Sequence, residues 1–123
     1  MKILVVDDSP STRAFIGGTV EKAFGAEVTE TSTGFEALKV LPGSTFDAII
    51  ADINMPDING LELLRYLKAH PGYNGIPVII VSTQMAQEDR DRGMAAGAAA
   101  YMTKPFQPDE LEETLRTLVV VEG

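Results

Sequence analysis

Acidic residues follow two of the short apolar runs in this 123-residue chain. Asp7 and Asp8 come directly after "KILVV", and Asp52 ends the run "DAIIAD". Three carboxylates brought together repel one another, and at least one takes up a proton unless a cation neutralises them. Mg²⁺ is a hard cation that binds one or two protein carboxylates while keeping several waters. If the fold brings these residues together, they predict a magnesium site, with Mn²⁺ as a possible substitute.

Two other residues that follow apolar runs could act on a phosphate group. Ser82 follows "PVIIV" and Lys104 follows "AYMT". A lysine ammonium can hold one phosphoryl oxygen and a serine hydroxyl can donate a hydrogen bond to another. A carboxylate such as that of Asp52 can attack phosphorus to give an acyl phosphate. Because the transition state is loose and rich in charge, a metal and a lysine assist mainly by positioning and neutralisation.

Each candidate also has a purely structural interpretation when it is taken alone. These interpretations are a helix cap for Asp7 and Asp8, a turn hydroxyl for Ser82, a solvated charge for Lys104 and a surface aromatic for Tyr101.

The functional interpretation depends on the elements that position these residues. Short apolar runs alternate with stretches of helical period, which predicts five strands and five helices. The strands are expected at residues 3–6, 27–31, 46–51, 77–81 and 98–102. Four helices are marked by a cap or first-turn residue. These residues are Ser9 with Pro10, Thr33 with Glu36 as a capping box, Asn59 and Pro108. The fourth helix along the chain is expected from about Gln84 to Ala96.

Strands that are apolar almost throughout and are separated by helices predict a parallel sheet covered on both faces. The fold class is therefore α/β, a doubly wound (βα)5 domain spanning residues 1–123. Five strands suit the order 2-1-3-4-5, which flavodoxin-like proteins are already known to use. In such a sheet the strands' carboxyl ends share one edge, and ligands bind there between strands 1 and 3. All five chemically active candidates are expected at that edge.

The composition excludes other classes of protein. A net charge of -8 argues against direct binding of nucleic acid, which needs clustered lysine and arginine. The chain has no cysteine, which excludes thiolate chemistry. No apolar segment approaches the roughly 20 residues that span a bilayer, and the N-terminal run is too short for a signal peptide. We expect no membrane association and a cytoplasmic location.

Four segments are similar to the signature segments of response-regulator receiver domains. They are "VVDDS", "ADINMPDINGLELL", "VIIVST" and "YMTKPF", in the family's order and spacing. The resemblance covers essentially the whole chain and is closest in layout to single-domain, CheY-like regulators of the chemotaxis type.

The resemblance implies a role for each matching residue. Asp52 is implied as the phosphoacceptor, assisted by Ser82 and Lys104. Asp8 is implied as a direct Mg²⁺ ligand beside Asp52, Asp7 as the residue that holds a metal-bound water, and the Asn54 backbone carbonyl as a further ligand. Ser82 and Tyr101 match the switch residues, and Asn54, Thr83 and Gln84 match positions that tune phosphoryl lifetime. The Lys104–Pro105 peptide bond is cis in the family.

The resemblance also implies partners. The phosphodonor is a histidine kinase of a two-component system. The altered surface, formed by helix 4, strand 5 and helix 5, binds a downstream protein through residues such as Gln87, Arg90 and Asp91. The chain is expected to be a monomer or a weak phosphorylation-dependent dimer. The resemblance implies that the chain catalyses its own phosphotransfer and autodephosphorylation and is not a turnover enzyme.

Three rival functions fit the residues less well, and one alternative concerns the length of the protein. An aspartate-nucleophile phosphatase normally has a second aspartate two residues after the nucleophile, where this chain has Asn54. A pseudo-receiver has usually lost the acidic pair, the acceptor or the lysine. A flavin-binding domain needs a phosphate loop after strand 1, which this sequence lacks. The alternative that stays open is a receiver domain excised from a larger multidomain regulator.

Overall fold

The computed structural model describes residues 1–83 and 87–119, without the side chains of Gln87 and Asp89. Within these residues the strands are β1 (Lys2–Val6), β2 (Glu27–Thr31), β3 (Ala48–Asp52), β4 (Val78–Ser82) and β5 (Ala100–Thr103). The helices are α1 (Pro10–Phe24), α2 (Gly34–Val40), α3 (Gly60–Ala69), α4 (Gln87–Ala95) and α5 (Pro108–Leu118), and a 3₁₀ turn, Leu41–Gly43, follows α2.

The strands form one parallel sheet in the order β2-β1-β3-β4-β5, which confirms the predicted fold class and strand order. Between β3 and β4, Asp52 pairs with Val81, and between β4 and β5, Ser82 pairs with Thr103. The last residues of neighbouring strands are therefore aligned at one edge of the sheet.

The three central strands, β1, β3 and β4, are buried on both faces because their alternate residues enter separate cores. On one face, Leu4 and Ile49 pack with the α3 leucines Leu63, Leu64 and Leu67. On the other face, the core is shared with α1 and α5 and contains Ile3, Ile50, Ile16, Leu111 and Leu115. Each such side chain contributes about 1.5–3 kcal/mol when it is fully buried. The two cores make the sheet a rigid support for the edge that carries the polar residues.

β2 has its predicted boundaries, and each of the other four strands differs from the prediction by one or two residues. β1 begins one residue earlier, β3 begins two residues later, and β4 begins and ends one residue later. β3 includes Asp52, because the ladder continues one residue further: the Ile53 N–H donates a hydrogen bond to the Val81 carbonyl at 3.1 Å. β5 begins at Ala100, two residues later than predicted. The chain first leaves α4 through Gly97, whose φ of 106° is outside the range of a strand or helix.

The helix caps agree with the sequence except at α2. Ser9 caps α1, and Gly25 ends it with a φ of 63°. The Thr33 hydroxyl accepts a hydrogen bond from the Glu36 N–H at 3.1 Å, as predicted. The reciprocal half of the predicted capping box is wrong, because the Glu36 carboxylate accepts instead from the Ser32 hydroxyl.

A capping box is present in α3, between Asn59 and Glu62. α4 lies within its predicted span of 84–96, and Gln84, its predicted start, is outside the described residues. None of the described helices has the length and the apolar content that a transmembrane helix requires.

Candidate functional site

The three acidic residues meet at the edge where the strands end. One carboxylate oxygen from each of Asp7, Asp8 and Asp52 lies within 4.8 Å of the other two. β1 and β3 are direct neighbours, so the residues that end them are necessarily close. Asp7 and Asp52 are buried, whereas Asp8 is exposed. The group is thus an acidic pocket open to solvent on the Asp8 side.

Asp7 is held by hydrogen bonds at each of its carboxylate oxygens. Its Oδ1 accepts from the Ser9 N–H at 2.9 Å, and its Oδ2 accepts from the Lys104 Nζ at 2.8 Å. Its backbone N–H donates to the Thr31 carbonyl at 3.1 Å. Because these oxygens are already engaged, Asp7 suits a role as a hydrogen-bond acceptor for a metal-bound water.

Lys104 brings a positive charge between two of the carboxylates. Its Nζ lies 2.8 Å from Asp7 Oδ2 and 3.6 Å from Asp52 Oδ1, so its stronger interaction is with Asp7. Its backbone N–H donates to the Ser82 carbonyl at 2.7 Å, which attaches the end of β5 to the end of β4. The Lys104–Pro105 peptide bond is cis, in agreement with the resemblance.

The surroundings of Asp52 disfavour its charged form. Burial raises the pKa of Asp52, and the negative charge of Asp7 raises it further. The Lys104 ammonium and a hydrogen bond from the Asn54 backbone N–H lower the pKa, but they do not offset the first two effects. A divalent cation beside Asp52 would favour the carboxylate form.

The donor set fits magnesium rather than a softer metal. The three candidate ligands that the structure gathers are carboxylate oxygens, and one of them is exposed. Mg²⁺ prefers oxygen donors and retains several waters, which a pocket open on one side can admit. The residues present therefore fit Mg²⁺ held by Asp8 and Asp52, with the Asn54 carbonyl as a further candidate ligand.

The remaining predicted site residues that the structure describes lie at the same edge or along β5, and Gln84 is outside the described residues. Ser82 is fully buried at the end of β4, beside β3. Thr83 is exposed directly after it, and Asn54 is exposed two residues after Asp52. Tyr101 is partly buried on β5, where its ring packs beside Gly93 of α4.

A cleft of about 460 Å³ opens beside the Lys104 side chain. Its wall contains Thr83 and the aromatic rings of Phe15 and Phe106, which meet edge to face with centroids 5.6 Å apart. Phe15 is 42% exposed on α1. The cleft therefore places an apolar surface next to the polar pocket.

Sequence reasoning missed two residues that support the site. Arg13 donates from Nη1 to the Asp7 carbonyl at 2.7 Å. Asp57, in the β3–α3 loop, accepts from the Gly34 and Phe35 N–H groups at 3.1 and 2.9 Å. Arg13 could have been considered, because a side chain one turn into a helix leans back toward the helix start. Asp57 gave no such signal, since its partners are 22 and 23 residues away in the chain.

The sequence matches the response regulator receiver domain family over residues 3–116. A gliding motility regulatory protein of Myxococcus xanthus is 44% identical over 104 residues, which are 85% of this chain and 13% of that protein. A chemotaxis protein CheY homolog of Campylobacter jejuni is 36% identical over 120 residues, which are 97% of this chain and 92% of that protein.

Solved structures of high similarity agree with the fold. Vibrio cholerae chemotaxis protein CheY4 superposes with a TM-score of 0.89 at 36% identity, covering 96% of this chain and 98% of that one. The receiver domain of a Pseudomonas aeruginosa sensor histidine kinase has a TM-score of 0.86 at 28% identity, with 95% of each chain covered. That structure contains a magnesium ion coordinated in its active-site cleft.

Proposed function

This chain belongs to the response regulator receiver domain family, and we propose that it is a phosphorylation-activated switch in which Asp52 accepts the phosphoryl group. The observation that carries the proposal is the meeting of Asp7, Asp8 and Asp52 within 4.8 Å, with the Lys104 Nζ 3.6 Å from the Asp52 carboxylate. An acceptor, two other carboxylates for the metal and a fixed cation are the parts that phosphoryl transfer to a carboxylate requires.

The proposed step is a displacement at phosphorus. A carboxylate oxygen of Asp52 attacks the phosphorus of a phosphohistidine on a histidine kinase. The new P–O bond forms, the P–N bond breaks, and the released imidazole nitrogen takes up a proton from solvent. In the later hydrolysis, water attacks the same phosphorus, the electron pair of the breaking P–O bond returns to Asp52, and inorganic phosphate leaves.

The chain's own residues hold and orient the reacting group. Asp8, Asp52 and the Asn54 carbonyl would bind Mg²⁺, which when bound neutralises charge that develops on the phosphoryl oxygens. Lys104, whose Nζ lies 3.6 Å from Asp52 Oδ1, would pair with one phosphoryl oxygen. The buried Ser82 hydroxyl, at the end of the strand next to β3, would donate to another.

The proposed response spreads from Ser82 to the surface of α4, β5 and α5. A phosphoryl group on Asp52 adds about one unit of negative charge and new acceptor oxygens. If these oxygens draw Ser82 and the residues after it toward Asp52, the space behind the hydroxyl changes, and Tyr101 can turn into it. A two-state change of this kind alters the surface formed by α4, β5 and α5. The exposed Arg90 and Asp91 of α4 would contact a downstream protein there.

Several finer assignments belong to the same proposal. Asn54, Thr83 and Gln84 would set the phosphoryl lifetime by admitting or excluding water.

The donor kinase would approach over the cleft beside Lys104, where Phe15 offers an apolar contact. Residues 1–123 would act as one receiver domain in the cytoplasm, monomeric or weakly dimeric when phosphorylated. Because the chain spans 13% of the M. xanthus relative, it could equally serve as the receiver part of a longer regulator.

The test is phosphorylation by a small-molecule donor, followed by intact-mass analysis. We expect one phosphoryl adduct on the wild-type chain with Mg²⁺, and none when the metal is chelated. Asp57→Asn is a matched control, because Asp57 follows the same strand but its carboxylate faces α2. Asp57→Asn should still accept the group, and Asp52→Asn should not. An adduct that forms equally well on Asp52→Asn would contradict the proposal.

A further inference from the structure

Arg13 connects α1 to the acidic end of β1. Its backbone N–H donates to the Ser9 carbonyl at 3.0 Å, so it lies one turn into α1. Its guanidinium turns back toward the start of the helix and donates from Nη1 to the Asp7 carbonyl oxygen at 2.7 Å. A charged donor makes this hydrogen bond shorter and stronger than a neutral one.

Glu30 on the neighbouring β2 orients the same guanidinium. The Arg13 Nε lies 3.5 Å from Glu30 Oε1, and the two side chains are 19% and 44% exposed. An ion pair as exposed as this one adds little stability by itself. The ion pair instead orients the guanidinium, since Glu30 holds one side of the planar group while the other side reaches the Asp7 carbonyl.

The Asp7 carbonyl controls the placement of Asp8. The peptide bond that joins Asp7 to Asp8 is planar, so the direction of that carbonyl fixes the direction of the Asp8 N–H and the position of its Cα. Asp7 is fixed on its other sides by Thr31, Ser9 and Lys104. Asp8 is the exposed carboxylate of the three, so its orientation depends on the peptide that carries it.

We propose that Arg13 is a positioning residue for the metal site: by holding the Asp7 carbonyl, it keeps the Asp8 carboxylate turned toward Asp52. The inference rests on the proposed function only in taking these carboxylates as ligands of Mg²⁺. Residues that orient metal ligands typically change metal affinity by about 10–100-fold when they are substituted.

The direction in which Mg²⁺ affinity changes when Arg13 is substituted distinguishes a positioning role from a simple effect of its charge. Arg13 is a cation beside an acidic pocket, so Coulomb's law alone predicts that its removal strengthens Mg²⁺ binding. Positioning predicts the opposite, because Asp8 loses its fixed direction. Arg13→Lys keeps the charge but has no planar fork to reach the carbonyl and Glu30 together. Positioning therefore predicts weaker binding for Arg13→Lys too, whereas charge alone predicts no change.

The experiment is calorimetric titration of the full chain with MgCl₂. We expect the Mg²⁺ Kd to rise about 10-fold in Arg13→Met, less in Arg13→Lys, and in the same direction in Glu30→Gln. Arg116→Met is the matched control, because Arg116 is in the last turn of α5, over the Phe24 ring at the opposite end of the sheet. Its Kd should stay within about twofold of the wild type. If Arg13→Met fails to fold, Arg13→Lys decides the question, because it keeps the charge.

Unchanged or tighter Mg²⁺ binding in the Arg13 variants would overturn the inference, as would an equal loss of affinity in Arg116→Met.

Phosphorylation at saturating Mg²⁺ provides an independent measurement. Because Arg13 acts through metal binding, saturating Mg²⁺ should restore most of the rate of adduct formation in Arg13→Met. If the wild type takes no phosphoryl group but the Kd values differ as expected, the proposed function fails and the role of Arg13 stands. If phosphorylation is normal and the Kd values do not differ, only the role of Arg13 fails.

Discussion

Asp52 combines burial with a negative charge that its surroundings disfavour. The residue is 6% exposed, and Asp7 lies beside it. Burial, and then the charge of Asp7, raise the pKa of Asp52 above its ordinary value. The folded chain therefore binds the Asp52 proton more tightly than the unfolded chain does. This residue's contribution to stability is complete below the ordinary pKa near 4 and is lost as the pH rises through the raised pKa.

Asp52→Asn should therefore stabilise the metal-free chain at neutral pH, because a neutral amide replaces the disfavoured carboxylate. We expect a gain of about 1 kcal/mol in the free energy of unfolding, which corresponds to roughly 4 °C in Tm. Thermal unfolding in a chelating buffer measures it. Near pH 3, where Asp52 is protonated, the difference should shrink. A variant less stable than the wild type at neutral pH would contradict this account of the site.

The connection from β3 to α3 brings two backbone segments unusually close. The Gly60 N–H donates to the Ile53 carbonyl at 3.0 Å, directly after Asp52. A Cβ at Gly60 would lie 2.4 Å from the Asp52 carbonyl oxygen and 3.0 Å from the Ile53 Cα. Both are backbone atoms at or directly after the end of β3, so neither can move without moving Asp52.

Gly60→Ala should destabilise the chain by about 1–3 kcal/mol, because the added methyl group overlaps the backbone after Asp52. Gly18→Ala is the matched control, since a Cβ there meets nothing within 4 Å and the residue is inside α1. Replacing a helical glycine by alanine should stabilise by about 0.5–1 kcal/mol. Urea unfolding of both variants measures the two changes. Equal changes in the two variants would show that helix propensity, and not close approach, governs position 60.

Asp57 joins the same loop to the start of α2. Desolvation alone would raise its pKa, but hydrogen bonds from the N–H groups of Phe35, Ile58 and Gly34 outweigh that effect and lower it. A lowered pKa means that the stabilisation is present above the ordinary value of 3.8 and is lost as the pH falls through the lowered one.

The wild type should therefore be more stable than Asp57→Asn at neutral pH, because the amide has a single acceptor oxygen and no charge for the helix start. The difference in Tm should stay constant down to about pH 5 and disappear at lower pH. Thermal unfolding followed by circular dichroism across this range measures it. A difference that persists unchanged at pH 3 would mean that the carboxylate charge plays no part in holding the loop to α2.

Local sequence signals predicted the elements well, but they did not determine which side chain satisfies which cap. Ser9, Thr33 and Asn59 were expected caps, and the side chain of each accepts a hydrogen bond from the backbone N–H three residues later. The Glu36 carboxylate had two partners within reach, the Thr33 N–H and the Ser32 hydroxyl, and the sequence spacing does not choose between them. In the structure it bonds to Ser32.

At the scale of the whole molecule, the strand order made the site predictable. Lys104 and Asp7 are 97 residues apart in the chain but 2.8 Å apart in space. Each follows a strand of one parallel sheet, so the topology alone places them at one edge. The contacts of Arg13 and Asp57 could not be predicted in this way, because they depend on side-chain direction and loop shape, which apolar periodicity does not encode.

Magnesium should stabilise the whole chain, because only the folded state gathers Asp7, Asp8 and Asp52. At a Mg²⁺ concentration 100 times the Kd, the expected gain is about 2.7 kcal/mol. Asp8→Ala should lose most of this gain. Differential scanning calorimetry with MgCl₂, against NaCl at equal ionic strength, measures it. An equal rise in Tm with NaCl would indicate screening of the net charge of -8 and no specific metal binding.

Hydride trapping identifies the residue that carries the phosphoryl group, which we propose is Asp52. Borohydride reduces an aspartyl phosphate to homoserine, so treatment of the phosphorylated wild-type chain followed by peptide sequencing locates the acceptor. We expect homoserine at position 52, only in samples that received both the phosphodonor and Mg²⁺. Homoserine at position 7 or 8, or a phosphoryl adduct with aspartate still intact at position 52, would contradict it.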